Sequence, residues 1–105
     1  MRTKVVVTGF GVVSPMGNDV NTFWQNVCAG KSGITTIDRW DPSPMPTQIA
    51  GLARALDMPD ISSKDLRRRD LYTVSALAAA DQAWKKSGID ISKEVPERCG
   101  CIVGS

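Results

Sequence analysis

Apolar and polar positions alternate along this chain in a way that marks out five elements. Lys4 to Val7 is a short β-branched run ending at Thr8 and Gly9, which predicts a buried strand. Gly9, Gly11, Pro15 and Gly17 then turn the chain, and Asn18 and Asp19 supply helix-capping side chains. Val20, Phe23, Trp24, Val27 and Cys28 follow at i, i+3, i+4, i+7 and i+8, the spacing of one apolar helix face, and Gly30 stands where a helix commonly stops.

From Lys31 to Pro46 the regular pattern lapses. Gly33, Asp38, Asp41, Pro42, Ser43, Pro44 and Pro46 predict a long irregular stretch anchored by Ile34, Ile37 and Trp40. Gln48 to Ala53 reads as a short, weak strand. Met58 to Ile61 leads into Ser62, with Asp65 three residues on, a relaxed capping box. A long helix is expected from about Lys64 to Ser87, with a joint near Asp70, high propensity from its alanines and a stop at Gly88. A polar connection then leads to a second buried-strand run, Cys99 to Val103.

The order strand, helix, strand, helix, strand predicts an α/β fold with a mainly parallel sheet and right-handed crossovers. A chain that stops just after a central-type strand leaves a βα unit unfinished, so residues 1–105 are expected to form one incomplete domain, the N-terminal piece of a longer protein. In isolation such a piece should expose sheet edges and apolar faces and tend to self-associate.

Composition narrows the function classes. The 105 residues are 42% hydrophobic and 23% charged, ordinary globular usage. Thirteen basic against eleven acidic residues give a formal charge of +2, too small for a nucleic-acid or membrane reading based on bulk charge. No apolar run approaches the roughly 18 residues of a membrane span, and residues 1–9 lack a secretory pattern, so a cytoplasmic location is the expectation. The chain has no histidine, so it cannot pair a cysteine or serine with an imidazole base, nor build a histidine-bearing metal site. Cys28, Cys99 and Cys101 are odd in number and lack C-x-x-C spacing, which points to reduced, buried thiols.

Two features invite a site. Gly9-Phe10-Gly11 follows a strand-like run, as in a dinucleotide-binding turn. However, Ser14 and Pro15 stand where the third glycine and the helix start belong, so no cofactor is expected. Lys64, Arg67 and Arg68 share one helix face at i, i+3 and i+4, diluted by Asp65 and Asp70. That face suits either plain solvation or the docking of an acidic helix or a phosphate-bearing partner. Ser14 has no base to activate it. Trp24, Trp40 and Trp84 fit core or interface anchors.

The block VVVTGFGVVSPMG (Val5 to Gly17), followed by NDVNTFWQNVCAGKSGI (Asn18 to Ile34), resembles the N-terminus of the β-ketoacyl-[acyl-carrier-protein] synthases, synthase II type. The resemblance continues through IDRWDPS (Ile37 to Ser43), IAG (Ile49 to Gly51), the helix Arg67 to Asp90 and CGCIVGS (Cys99 to Ser105), so it covers essentially the whole chain. It implies part of a thiolase-like fold, normally homodimeric. The implied reaction joins an acyl chain, held as a thioester on a cysteine, to malonyl-carrier protein with loss of carbon dioxide, in fatty-acid or polyketide synthesis. That family's nucleophilic cysteine and two histidines have no match here, so the resemblance implies no catalytic residue among these 105 and an inactive isolated chain. It does imply a basic docking patch for acyl carrier protein at Lys64, Arg67 and Arg68. The alternative is a non-catalytic carrier-protein-binding or assembly module.

Overall fold

The structure is a computed structural model describing residues 1–54, 56, 58 and 60–104. Helix α1 spans Val20–Cys28 and begins where the capping pattern places it: the Asp19 carboxylate accepts a hydrogen bond from the Thr22 N–H at 2.9 Å. It ends at Gly30, whose φ of +65° lets Gly30 N–H reach the Val27 carbonyl and Lys31 N–H the Asn26 carbonyl, each at 3.0 Å. These two bonds form a Schellman stop, satisfying carbonyls that would otherwise be orphaned at the helix end.

Strands β1 (Ile34–Thr36) and β2 (Ile49–Gly51) pair antiparallel, with Ile34 opposite Gly51 and Thr36 opposite Ile49. The ladder runs on through Ile37 N–H to the Gln48 carbonyl at 2.9 Å, and polar side chains extend it. Arg54 Nη1 donates to both carboxylate oxygens of Asp38, each at 3.0 Å, and Arg39 donates to the Ala53 carbonyl at 2.7 Å. The guanidinium of Arg54 accordingly holds the Asp38 carboxyl below its usual value.

Helix α2 (Ser63–Arg67) is capped by Ser62, which accepts from the Asp65 N–H at 3.1 Å, as the capping-box spacing predicts. Helix α3 (Leu71–Ser87) follows after a break at residues 68–70. The long helix of the sequence reading is thus two helices, and the break falls at the expected joint because Asp70 adopts extended geometry (φ −66°, ψ 149°) as the new N-cap. Gly88, with φ +67°, closes α3. Two short 3-10 turns, Ile91–Lys93 and Pro96–Arg98, occupy the polar connection.

Two expectations need correction. The stretch read as wholly irregular contains β1, and its pairing with β2 is antiparallel; among the described residues no parallel pair forms. The runs at 4–7 and 99–103 carry no strand pairing. A strand is defined by its neighbour, and these segments have none among the described residues: Val5, Val6 and Val7 are 91%, 74% and 82% exposed, and Ile102 is fully exposed. The buried core among the described residues is Ile37, Leu52, Val74 and Ala78. A radius of gyration of 17.3 Å exceeds the ~13 Å of a compact chain of this length. The apolar face of α1 stays open as well, with Trp24 and Val27 exposed.

Residues 9–12 lie flat against α3, and glycine is what permits the approach. A Cβ on Gly9 would run into the Ala83 carbonyl and fall 2.8 Å from the Ser87 nitrogen; one on Gly11 would run into the Ala79 carbonyl and fall 2.7 Å from Gln82 Cβ. Gln82 then fastens the contact. Val12 N–H donates to Gln82 Oε1 at 3.1 Å, and Gln82 Nε2 donates to the carbonyls of Val12 (3.1 Å) and Asn18 (2.6 Å).

Candidate functional site

The glycine turn is structural. The α3 backbone lies where a Cβ on Gly9 or Gly11 would fall, so these glycines serve the packing of the turn on the helix. Ser14 is spent on its own turn: its hydroxyl donates to the Gly17 carbonyl and accepts from the Met16 N–H, each at 3.1 Å. Asn26 Nδ2 donates to the Met16 carbonyl at 2.6 Å, tying that turn to α1. Gln82 went unnoticed in the sequence because nothing local distinguishes it from a solvated helix residue. The signal was its place among small side chains, opposite two glycines spaced two apart.

The thiols of Cys28, Cys99 and Cys101 are all free and exposed, against the expectation of burial. The two C-terminal ones are exposed because residues 99–103 have no sheet around them among the described residues; Cys99 Sγ donates to the Val95 carbonyl at 3.5 Å. Among the described residues no group of three or more histidine, cysteine or carboxylate side chains is placed to hold a metal ion. No helix of the described residues is long and apolar enough to cross a membrane.

The basic face of α2 is the remaining candidate. Lys64 and Arg67 lie within the helix and Arg68 is its C-cap, still in helical geometry (φ −89°, ψ −6°), so the i, i+3, i+4 face of the sequence reading is formed. All three side chains are exposed, and no ion pair among the described residues engages them. Arg67 Nε donates to the Ser63 carbonyl at 3.2 Å, one turn back, which steadies the stem of an exposed side chain. The nearest acid in sequence, Asp65, is turned to the N-cap, where Ser62 Oγ donates to it at 2.6 Å. The result is a cationic patch whose charges make no ion pair among the described residues. Chemically it can attract and orient an anionic surface.

Elsewhere charge serves local structure. The Thr22 N–H lowers the pKa of Asp19, the Ser92 side chain lowers that of Asp90, and Asp81, at 2.7 Å, raises that of Lys85. Lys85 also meets Asp60 at 3.7 Å, linking α3 to the segment before α2.

Comparison with known proteins agrees with the sequence resemblance along nearly the full chain. The profile described as "Beta-ketoacyl synthase, N-terminal domain" matches residues 2–105. The 3-oxoacyl-[acyl-carrier-protein] synthase 2 of Coxiella burnetii is 43% identical over 105 residues, covering 99% of this chain and 25% of that protein. The proteins of the same description from Vibrio cholerae (39% over 105 residues) and Staphylococcus aureus (40% over 103 residues) cover 99% and 97% of this chain and 25% of their own lengths. The chain therefore spans about a quarter of the length of the curated relatives it matches.

Proposed function

This chain belongs to the β-ketoacyl synthase family, as its N-terminal domain, and on that premise we propose that it forms the N-terminal quarter of a 3-oxoacyl-[acyl-carrier-protein] synthase. The assembled enzyme elongates acyl chains by decarboxylative condensation with malonyl-carrier protein in fatty-acid synthesis, as a cytoplasmic homodimer. The observation that carries the reading is the unbroken match of residues 2–105 to the family profile, together with relatives that share this description at 39% to 43% identity.

The chemistry belongs to residues outside this segment. Covalent condensation needs an activated thiolate and donors fixed around the developing oxyanion. With no histidine and only exposed thiols, the 105 residues are inactive alone. Their part is to scaffold and to recruit. Lys64, Arg67 and Arg68 receive the acidic face of the carrier protein: their charges are exposed and unpaired among the described residues, which suits a surface that steers a partner by long-range attraction. Exposed pairs of this kind speed encounter and weaken with salt.

The test is a steady-state comparison in the assembled synthase. Reversing the patch (Lys64→Glu, Arg67→Glu, Arg68→Glu) should raise KM for carrier-protein substrates about tenfold or more at low ionic strength, with the effect shrinking as salt is added. Turnover of small thioesters that carry no protein should be unchanged. A KM that does not move at low salt removes the docking role. Carrier-protein binding by an assembled protein without condensation would favour the alternative, a non-catalytic binding module.

A further inference from the structure

Cys99 and Cys101 stand on either side of Gly100, in a run that has strand composition and no strand pairing among the described residues. All three residues are exposed, and both thiols are free. Cys99 is extended (φ −97°, ψ 135°) and is anchored to the turn before it: its N–H donates to the Pro96 carbonyl at 3.0 Å and its Sγ to the Val95 carbonyl at 3.5 Å. Beyond Cys99 the surroundings are open. A Cβ on Gly100 would meet no described atom within 4 Å, and Ile102 and Val103 are 100% and 69% exposed. Glu94, Val95 and Arg98 line an open hollow of about 330 Å³ with Cys99, so a small reagent can reach the sulfur.

Two geometries compete for this run. In a strand, residues two apart point to one face with their Cβ atoms ~6.6 Å apart. A disulfide needs them ~3.5–4.5 Å apart. A bond between Cys99 and Cys101 and a strand through the same residues therefore exclude each other. Glycine is the residue suited to lie between them, because a tight ring imposes backbone angles that a side chain would resist. We propose that Cys99 and Cys101 form a redox switch on assembly: closed as an internal disulfide, they hold residues 99–103 out of strand geometry and keep the chain from joining the rest of its synthase. The oxidant is a small disulfide of the glutathione class. The Cys99 thiolate attacks one of its sulfurs, breaking the S–S bond and releasing one small thiol. The Cys101 thiolate then attacks the Cys99 sulfur, forming the internal bond and releasing the second small thiol. The two protein thiols lose two electrons and two protons, and the oxidant becomes two thiols. Strained, exposed disulfides are readily reduced, so the bond forms under oxidation and clears when reducing conditions return. The inference rests on the reading of the chain as part of a larger synthase whose sheet takes in residues 99–103.

The experiment unfolds the assembled synthase in urea, treats it with glutathione disulfide or keeps it reduced, and returns it to native buffer beside the Cys99→Ser, Cys101→Ser double variant. Peptide mapping of the oxidised wild type should find residues 99 and 101 joined, two hydrogens lighter and closed to alkylation. Recovery of the assembled species, read by size-exclusion chromatography, should fall about tenfold on oxidation and return with dithiothreitol. The double variant should assemble equally well with and without oxidant, which separates this pair from every other thiol of the synthase. Should serine weaken the strand, Cys101→Ala alone removes the ring and keeps a small apolar side chain. Glutathione adducts or intermolecular disulfides at residues 99 and 101, in place of the internal bond, overturn the proposal. An internal disulfide that leaves assembly unchanged overturns it too. The synthase reading fails separately, when the fully reduced protein releases no carbon dioxide from malonyl-carrier protein, a result on which the mapping does not depend.

Discussion

Replacing Gln82 by methionine should loosen the contact between residues 9–18 and α3 without changing the volume between them. In the native structure the Gln82 amide makes three hydrogen bonds: it accepts from Val12 N–H at 3.1 Å and donates to the carbonyls of Val12 at 3.1 Å and Asn18 at 2.6 Å. Gln82→Met keeps the unbranched stem and removes every polar atom, so the Val12 N–H loses its acceptor. A net value of about 1 kcal/mol per bond gives about 3 kcal/mol. The site is only partly buried, so water satisfies some of the stranded groups, and about 2 kcal/mol is the better figure. The assay is hydrogen exchange of the Val12 amide in the assembled protein, because exchange reads local opening directly. At 1.4 kcal/mol per decade, protection should fall about thirtyfold for peptides covering residues 10–18. Peptides from β1 and β2 should be unaffected. A change smaller than twofold at Val12, with native exchange elsewhere, would refute the assignment of Gln82 as the fastener.

Two further outcomes follow from the same geometry. Gly11→Val should disorder residues 9–12 far more than Gly30→Ala disturbs the end of α1, because at Gly11 the new carbon meets the α3 backbone, whereas at Gly30 it meets open space and costs only about 1 kcal/mol of left-handed strain; equal proteolytic sensitivity of the two variants would contradict this. The lowered pKa of Asp19 means that its capping contribution is fully present above the unfolded value near 3.8 and fades as pH falls through the folded value. The protection factor of the Thr22 amide, its exchange rate compared with the intrinsic rate at each pH, should therefore fall on acidification below that range, and Asp19→Asn, which caps without titrating, should abolish the dependence.

The helices were legible because their determinants are local. Asp19 and Ser62 start helices, Gly30 and Gly88 end them, and Asp70 separates α2 from α3; each acts within a few residues of itself. Of the sheet only β2 was legible, since Ile49–Gly51 falls within the weak strand expected at 48–53. Ile34–Thr36 gains its pairing from Ile49–Gly51, across a proline-rich connection that gave no strand signal. The runs at 4–7 and 99–103 have strong strand composition and no partner among the described residues, so propensity alone does not make them strands.

The same division holds at the candidate site. The face shared by Lys64, Arg67 and Arg68 follows from helical spacing. Gln82 was hidden, since its partners are 64 and 70 residues away.

The most direct measurement is condensation of acyl- and malonyl-carrier protein, assayed in parallel with the 105-residue chain, with the assembled synthase, and with the assembled synthase carrying the reversed charges at Lys64, Arg67 and Arg68. The account predicts no product from the chain alone, carrier-dependent product with release of carbon dioxide from the assembled enzyme, and a raised KM at low salt for the charge-reversed enzyme. Condensation by the isolated chain, or an assembled enzyme indifferent to the charge reversal, would contradict it.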